Sequence, residues 1–317
     1  MGVVFTVCRS IGSEYEVKGK IVQTTFESNA HVVNSTNDFT VFVRDCGWLI
    51  QTVASDAKGH VLQREMGTTN GADIYDFHGN VGLINGRGIP VELADQGVDG
   101  HLWMMFASQC YWSSVQTDLL TPVYSWQASV GANPEIKVKA GWDLLGGPGT
   151  LPREVRYYGD WDETNGFYKV SGTKTIAGVQ IPTGFTFEER YIGGRVANSL
   201  VHGMYLRKRV EAVVTSVQPV CSRKNLLPVM GTGKKTIIDW RLKNPAYGNQ
   251  TPSYILQNTE SWPSVADANK IIQSVHERML LSRNLKNNQP MFVRIVMAVF
   301  IIIPPLIYFA WHRLSKP

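Results

Sequence analysis

Residues 38–45 read DFTVFVRD and residues 48–55 read WLIQTVAS, and these two stretches decide the class of fold. Both are short and rich in β-branched and aromatic residues, and only a Cys-Gly pair separates them. In the first stretch Phe39, Val41 and Val43 recur at every second position, which places them on one face of a β-strand. The pattern predicts two antiparallel strands joined by a tight turn.

Similar stretches occur on both sides of this pair. Further strands are predicted at residues 15–26, 60–66, 74–77, 153–158, 167–171, 173–177, 184–191, 208–217 and 236–242. The pairs Asn165-Gly166, Ser171-Gly172 and Gly193-Gly194 predict hairpin turns, because these residues adopt turn conformations at low cost. Closely spaced strands separated by short turns predict an antiparallel meander.

The stretch between the two blocks of strands has a different character. Residues 101–112 (HLWMMFASQCYW) contain neither Gly nor Pro and are apolar nearly all round. This composition predicts a buried helix of about three turns. The predicted fold class is therefore α+β and mostly antiparallel β, with two strand blocks around a helix within residues 15–262. Residues 1–14 are apolar at their start and receive no assignment.

Apolar residues also occupy the second face of the first predicted strands. Phe42, Leu49 and Val53 lie opposite the face that carries Val41 and Trp48. A strand that is apolar on both faces has both faces covered, or leaves one face free for an apolar ligand. Two interpretations follow: a groove for lipid, in which Phe42, Leu49 and Val53 are the candidate lipid-binding residues, or simply more core.

A second helix is predicted near the C-terminus. Ser264 can cap its start, and Asp267 three residues later completes a pattern that resembles a capping box. Apolar residues then recur at helical spacing, at Ile271, Ile272, Val275, Met279 and Leu280. The pattern predicts an amphipathic helix over residues 263–286 that docks on the preceding domain, followed by a hinge at residues 287–290.

The last part of the chain predicts a membrane anchor. Residues 295–311 are a run of 17 residues without a charge. A helix of that length measures about 25 Å, and the apolar residues from 291 onward extend it to the thickness of a hydrocarbon core. Arg294 can extend its side chain to the headgroups. We therefore expect a transmembrane helix at residues 291–311 and a basic tail at residues 312–317.

Four residues add detail to the predicted span. Pro304 and Pro305 near its middle lack N–H donors and should kink the helix. Carbonyls freed by the kink are costly in lipid unless another helix or water binds them, which favours a membrane-protein partner. Tyr308 and Trp311 lie where an interfacial aromatic belt is expected.

Charge and residue spacing argue against several classes of function. The net charge of +5 is spread along the chain, with no basic face and no nucleic-acid-binding module. No spacing of Cys or His matches a metal site, no nucleophile and base are recognisable together, and no cofactor motif is present, so no catalytic, metal-binding or cofactor-binding residue is predicted. The four cysteines Cys8, Cys46, Cys110 and Cys221 fit either two disulfides or free thiols.

One passage resembles a known family. Residues 175–182 (TIAGVQIP), which lead into Phe185-Thr186-Phe187-Glu188, together with the strand rhythm of residues 15–217, resemble the outer-membrane lipoprotein-sorting, or LolA-like, proteins. The resemblance implies a curved antiparallel sheet, or half-barrel, that wraps around helices and holds acyl chains on its concave side. Those carriers are exported and move freely or carry a lipid anchor, whereas this chain ends in a predicted span.

These observations lead to a functional hypothesis with two alternatives. The first is a single-pass, membrane-anchored, non-enzymatic domain that binds membrane lipid or lipoprotein acyl chains. The alternatives are a structural subunit of a membrane complex, recruited through Pro304 and Pro305, and a membrane-bound enzyme of unrecognised chemistry. Four Lys and Arg residues precede the span and two follow it, and this excess favours a cytoplasmic location for the large domain. The resemblance implies an extracytoplasmic, periplasmic one, and the latter is the expectation adopted.

Overall fold

The computed structural model describes most of the β-rich region and one C-terminal helix. The described residues are 14–26, 32–55, 60–71, 73–85, 97–112, 123–128, 136–146, 149–158, 164–192, 195–196, 199–200, 204–242, 253–257 and 261–287. The chain divides into two compact units, Met1–Trp262 and Pro263–Pro317.

The first unit contains a large, curved, mostly antiparallel sheet. Its first block comprises β1 (Glu14–Phe26), β2 (Val32–Arg44), β3 (Gly47–Ser55), β4 (Val61–Thr68), β5 (Ile74–His78) and β6 (Val81–Asn85). Its second block comprises β7 (Val123–Ala128), β8 (Ile136–Leu144), β9 (Pro152–Tyr158), β10 (Thr164–Ile176), β11 (Val179–Ile192) and β14 (Met204–Gln218). Between β11 and β14, β12 (Arg195–Val196) and β13 (Ser199–Leu200) form a separate two-stranded sheet. The strands β15 (Lys234–Asp239) and β16 (Ser253–Gln257) complete the large sheet.

The two blocks join through their long central strands. β1 pairs antiparallel with β14, and the order across the sheet is β16-β15-β6-β5-β4-β3-β2-β1-β14-β11-β10-β9-β8-β7. β15 returns to the far side of the first block and pairs in parallel with β6. A parallel neighbour requires a crossover connection, so the chain between β14 and β15 must cross one face of the sheet.

The meander expected from the sequence is confirmed, but two of its predicted hairpin turns are wrong. Asn165-Gly166 and Ser171-Gly172 lie inside β10, where the register shifts beside both glycines. The β10–β11 hairpin turns instead at Ala177 and Gly178, whose φ angles are +49° and +82°. Two consecutive left-handed residues match the twist of a two-residue hairpin, although Ala is an unusual choice for the first. Gly193-Gly194 lies outside the described residues.

The central helix is buried, as expected, but it is shorter than predicted. α1 spans Val98–Phe106, and a separate turn, α2, spans Gln109–Trp112. The break falls at Ala107, whose φ of −137° is not helical. The Ser108 hydroxyl donates a 2.6 Å hydrogen bond to the carbonyl of Met104 and so offers that carbonyl a partner other than the next helical turn.

The sheet wraps around α1. Side chains of α1 contact Arg64 on β4 and Tyr168 on β10, which are six strand intervals apart. Six intervals measure about 29 Å across a flat sheet, whereas a helix with its side chains is only about 10–12 Å wide. The sheet therefore curves, with α1 on its concave face. The predicted arrangement of a curved sheet around a central helix is confirmed in this part of the chain.

The second unit contains α3 (Val265–Asn287), close to the predicted bounds. The Ser264 hydroxyl accepts a 3.1 Å hydrogen bond from the backbone N–H of Asp267, as the cap pattern predicted. Within the described residues no helix has the length and apolar character needed to cross a membrane. The predicted span at residues 291–311 and its Arg294, Pro304, Pro305, Tyr308 and Trp311 lie outside the described residues, so the anchor stays a prediction.

We expect Ser264→Ala to lower the stability of α3 by about 1 kcal/mol, because the cap satisfies an N–H group that lacks a helical partner. Amide hydrogen exchange in the first turn of α3 measures this loss. Ser274→Ala is the control, because Ser274 lies inside the helix and bonds only to the carbonyl of Ile271. Equal exchange in both variants would contradict the capping role.

Candidate functional site

The concave face is largely occupied by α1 and the apolar residues around it. The buried core of this face includes Val17, Phe39, Ile50, Phe185, Phe187 and Val210 from the strands and Leu102 to Phe106 from the helix. The Phe106 ring lies 5.6 Å from that of Phe39 and 5.8 Å from that of Phe185. Packing of this kind holds a helix firmly and leaves little room for a ligand beneath it.

The start of α1 is bound to the sheet through a buried carboxylate. Asp99 is almost fully buried and accepts a 3.0 Å hydrogen bond from the Thr52 hydroxyl. Arg64 forms a 3.0 Å ion pair with Asp99 and a second ion pair with Asp76. A buried charge is tolerated when it is paired and hydrogen-bonded in this way. The network fixes the first turn of α1 between β3 and β4.

Two tyrosines bind the rest of α1 from the other strands. The Tyr168 hydroxyl lies 2.5 Å from Nδ1 of His101, and the Tyr15 hydroxyl donates a 2.7 Å hydrogen bond to the carbonyl of Phe106. Burial raises the pKa of Tyr168 well above its usual value and also raises that of Tyr15. Both phenols are therefore neutral hydrogen-bonding groups at physiological pH. They position the helix and provide no nucleophile.

A disulfide closes the end of α1–α2 onto the sheet. Cys46, in the turn between β2 and β3, is bonded to Cys110 of α2, and their Cα atoms are 5.5 Å apart. The Gln109 amide donates a 3.3 Å hydrogen bond to the carbonyl of Asp45 beside it. The sequence left the state of these cysteines open; the structure pairs two of them and leaves Cys221 as a buried free thiol.

The concave face also carries an apolar surface that α1 does not cover. Alternation and register place one group of aliphatic side chains on this face across β4, β6, β15 and β16: Leu62, Val81, Leu83, Ile238 and Ile255. We call these five residues the apolar strip. The exposed Thr236 lies between Val81 and Ile255, and the exposed His78 lies beside Val81. Leu62, Val81 and Ile255 are 49%, 43% and 48% exposed. Exposed aliphatic side chains that share one face of a sheet mark a surface able to bind an apolar partner.

The convex side of the same strands is buried and polar at its centre. Asp239 is fully buried and accepts bonds of 2.8 and 2.9 Å from Arg241 and of 3.0 Å from the hydroxyl of Tyr254. Burial acts to lower the pKa of Arg241, but its hydrogen bonds to Asp239 and the negative charges around it outweigh burial and raise that pKa. Trp262 packs edge-on against Tyr75, with ring centres 5.0 Å apart. These contacts hold β15 and β16 in place.

The predicted lipid-binding residues lie on the convex face, opposite α1. Phe42 and Leu49 are register partners and form a buried cluster with Cys221 and Leu226. Val53 is half-buried on the same face. Phe42 and Leu49 have almost no exposed surface, which agrees with the interpretation of this face as additional core. Their role in binding lipid stays a prediction, and the apolar strip lies on the other face.

The segment that covers Phe42 and Leu49 is the crossover between β14 and β15. We call residues 219–230 the strap. Gly67 permits its close approach, because a Cβ at this position would overlap the carbonyl oxygen of Leu226. Carboxylates bind its backbone: Glu14 accepts from the N–H of Cys221 at 3.3 Å and Glu65 from that of Val229 at 2.8 Å. The strap thereby connects β14 to β15, which lies at the edge of the first block.

Glu16 makes the third carboxylate contact with the strap. Its side chain accepts a 2.5 Å hydrogen bond from the Ser222 hydroxyl and lies 2.8 Å from the Lys18 ammonium group. Burial acts to raise the pKa of Glu16, but the hydrogen bonds from Lys18 and Ser222 outweigh it and lower that pKa below 4.5. The ionised carboxylate is therefore favoured in the folded protein.

We expect this contact to stabilise the fold only while Glu16 is ionised. The pKa is lower in the folded than in the unfolded state, so the contribution is complete above about pH 4.5 and is lost as the pH falls through the lowered value. Ser222→Ala should cost about 1 kcal/mol of unfolding free energy at pH 7, and this loss should decrease as the pH is lowered below 4.5 towards 3. Urea unfolding at both pH values measures it, and an equal loss at both would contradict the assignment.

Sequence reasoning missed the apolar strip. Val81 and Leu83 lie in β6 and Ile255 lies in β16, and neither strand was predicted. Residues 253–257 (SYILQ) carry three consecutive apolar residues, so the alternation of buried and exposed side chains along β16 is absent from the sequence pattern. The exposed face of β16 could not be identified, because that depends on the pairing of β15 with β6.

Comparisons with known proteins add a structural likeness. No protein-family model and no curated protein matches the sequence. A LolA superfamily protein from Nitrosomonas europaea has 10% identity and a TM-score of 0.38, with 66% of this chain and 87% of that chain covered. A DUF1329 family protein from Desulfovibrio piger has 10% identity and a TM-score of 0.37, with 66% and 86% covered.

A third solved structure is a putative outer membrane lipoprotein-sorting protein domain from Vibrio parahaemolyticus. It has 8% identity and a TM-score of 0.33, with 65% of this chain and 85% of that chain covered. The LolA-like resemblance noted in the sequence is thus found again among solved structures.

Proposed function

We propose that this chain is a membrane-anchored, non-enzymatic domain that binds the acyl chain of a lipid or lipoprotein on its concave face. The observation that carries the proposal is the apolar strip, in particular Val81 and Ile255, which are nearly half exposed on the face that also holds α1. Each exposed methylene that an acyl chain covers contributes about 0.8 kcal/mol, so a few contacts give useful affinity.

The disulfide supports an extracytoplasmic location for this domain. Disulfides persist in oxidising compartments such as the periplasm and are rare in the cytosol. The bond between Cys46 and Cys110 holds the α1–α2 segment against the sheet, so the compartment affects the folded structure itself. The predicted span at residues 291–311 would keep the domain beside the lipid surface from which an acyl chain could be taken. A membrane-protein partner at Pro304 and Pro305 belongs to the same proposal.

The test compares lipid retained by the full chain with lipid retained by strip variants. The double variant Val81→Glu/Ile255→Glu places two carboxylates on the strip, where an acyl chain would have to desolvate them. Val213→Glu is the matched control, because Val213 is 63% exposed on the convex face of β14. Each protein is isolated in the same mild detergent, and its acyl-chain lipid is extracted and quantified by mass spectrometry.

We expect about tenfold less specifically retained lipid in the double variant, which corresponds to about 1.4 kcal/mol, and no change in the control. Lipid bound around the predicted span is common to all the proteins and cancels in the comparison. Equal retention by the three proteins, with unchanged melting temperatures, would refute acyl-chain binding at the strip.

A further inference from the structure

The strip ends at a strand that lacks the usual protection of a sheet edge. In the part of the sheet that the structure describes, β16 is the terminal strand, and β15 is its one neighbour. Its sequence, SYILQ, contains neither a charge nor a proline. Natural proteins commonly place Lys or Pro on edge strands to prevent pairing with another chain. An uncharged edge with an exposed Ile255 is therefore suited to pairing.

The alternation along β16 makes the strand complementary to itself. Ser253, Ile255 and Gln257 are exposed on the concave face, whereas Tyr254 and Leu256 are buried on the convex face. In an antiparallel pair centred on Ile255, Ser253 lies opposite Gln257 and Tyr254 lies opposite Leu256. Polar residues thus face polar residues and apolar residues face apolar ones, and no like charges meet.

We propose that β16 is an interface between two copies of this chain, which pair antiparallel about a two-fold axis at Ile255. Such an interface is isologous, the commonest kind in soluble oligomers. It joins the two sheets edge to edge and brings the two apolar strips together, so that Ile255 lies directly opposite Ile255 of the partner subunit. The role of the joined strip as a ligand site rests on the proposed function, whereas the dimer does not.

Disulfide trapping tests the pairing. Residues directly opposite each other in antiparallel strands have Cα atoms about 4.5–5.5 Å apart, within the range that a disulfide spans. The full chain carrying Ile255→Cys, in a Cys8→Ser background, is oxidised in its native membrane and run on a non-reducing gel. Val213→Cys in the same background is the control, because that residue is more exposed but lies on the central strand β14.

We expect Ile255→Cys to form a covalent dimer about tenfold faster than Val213→Cys, because pairing raises the effective concentration of the thiol. The additional substitution Leu256→Lys in the trapping variant should slow cross-linking to the rate of the control. Equal rates for the two cysteine positions, or no effect of Leu256→Lys, would overturn the dimer. If the covalent dimer forms but the protein retains no lipid, the proposed ligand site is refuted and the dimer is not.

Discussion

Replacing Cys46 and Cys110 with serine will lower the free energy of unfolding by about 2–5 kcal/mol, one of the two largest losses expected for this protein. The disulfide joins residues separated by 64 positions, so it removes many conformations from the unfolded chain. It also holds the α1–α2 segment on the turn between β2 and β3, where the Gln109 amide bonds to the carbonyl of Asp45. Denaturant unfolding under oxidising conditions measures the change.

Reduction supplies the matched control for this prediction. The wild-type protein in excess dithiothreitol should match the double serine variant, and the variant should not respond to the reductant. Cys221 is a free thiol and should contribute to neither difference. A wild-type protein whose stability is the same with and without dithiothreitol would contradict the structural role of the bond.

The second large loss is expected for Asp239→Ala. Asp239 is fully buried, and its removal leaves the guanidinium of Arg241, only 8% exposed, without its nearest counter-charge. Breaking a buried ion pair in this way costs about 3–5 kcal/mol, because the remaining charge stays desolvated. Asp73 lies 3.5 Å from Arg241 and is the charge left to compensate.

A double-mutant cycle separates the charge from the packing. Asp239→Leu combined with Arg241→Met replaces both charges with apolar groups, and we expect it to recover most of the stability lost in Asp239→Ala. Denaturant unfolding of the four proteins gives the coupling energy. If Asp239→Ala costs less than about 1 kcal/mol, the pair does not hold β15 in the manner described here.

The proposed function predicts that loss of Asp239 also reduces lipid retention, because the pair lies on the convex side of strands that carry the apolar strip. Ile238 precedes Asp239 directly and points to the concave face. The stability change and the change in retained lipid should therefore occur together in Asp239→Ala and recover together in the double variant.

Much of the sheet could be predicted from local pattern. The strands β2 and β3 could be predicted because both are rich in β-branched and aromatic residues. Phe39, Val41 and Val43 recur at every second position of β2 and share one buried face. The cap at Ser264 was equally readable, because it depends on residues only three positions apart. Local chemistry of this kind decides where strands and helices begin.

Other parts depend on contacts that local pattern does not contain. The parallel pairing of β15 with β6 joins residues about 155 positions apart, such as Val81 and Thr236. Asn165-Gly166 has the composition of a hairpin turn, yet it lies in a long strand because β9 and β11 pair on both sides of it. The break after α1 falls at Ala107, beside Ser108, whose hydroxyl bonds to the carbonyl of Met104.

The candidate site shows the same limit. Phe42 and Leu49 have the composition of a binding surface, but the strap covers them from a position about 180 residues further along the chain. The apolar strip has weaker local signals, and it is exposed because α1 covers a different part of the concave face. Which apolar face remains free is decided by tertiary structure.

The most direct test of the central claim is to map where a photoactivatable fatty acid labels the full chain in its native membrane. The proposed function predicts that the label lies on peptides containing Val81, Ile238 and Ile255, and that Val81→Glu/Ile255→Glu abolishes it. Label confined to peptides from the convex face, such as the one containing Val213, or label unchanged in the double variant, would contradict acyl-chain binding on the concave face.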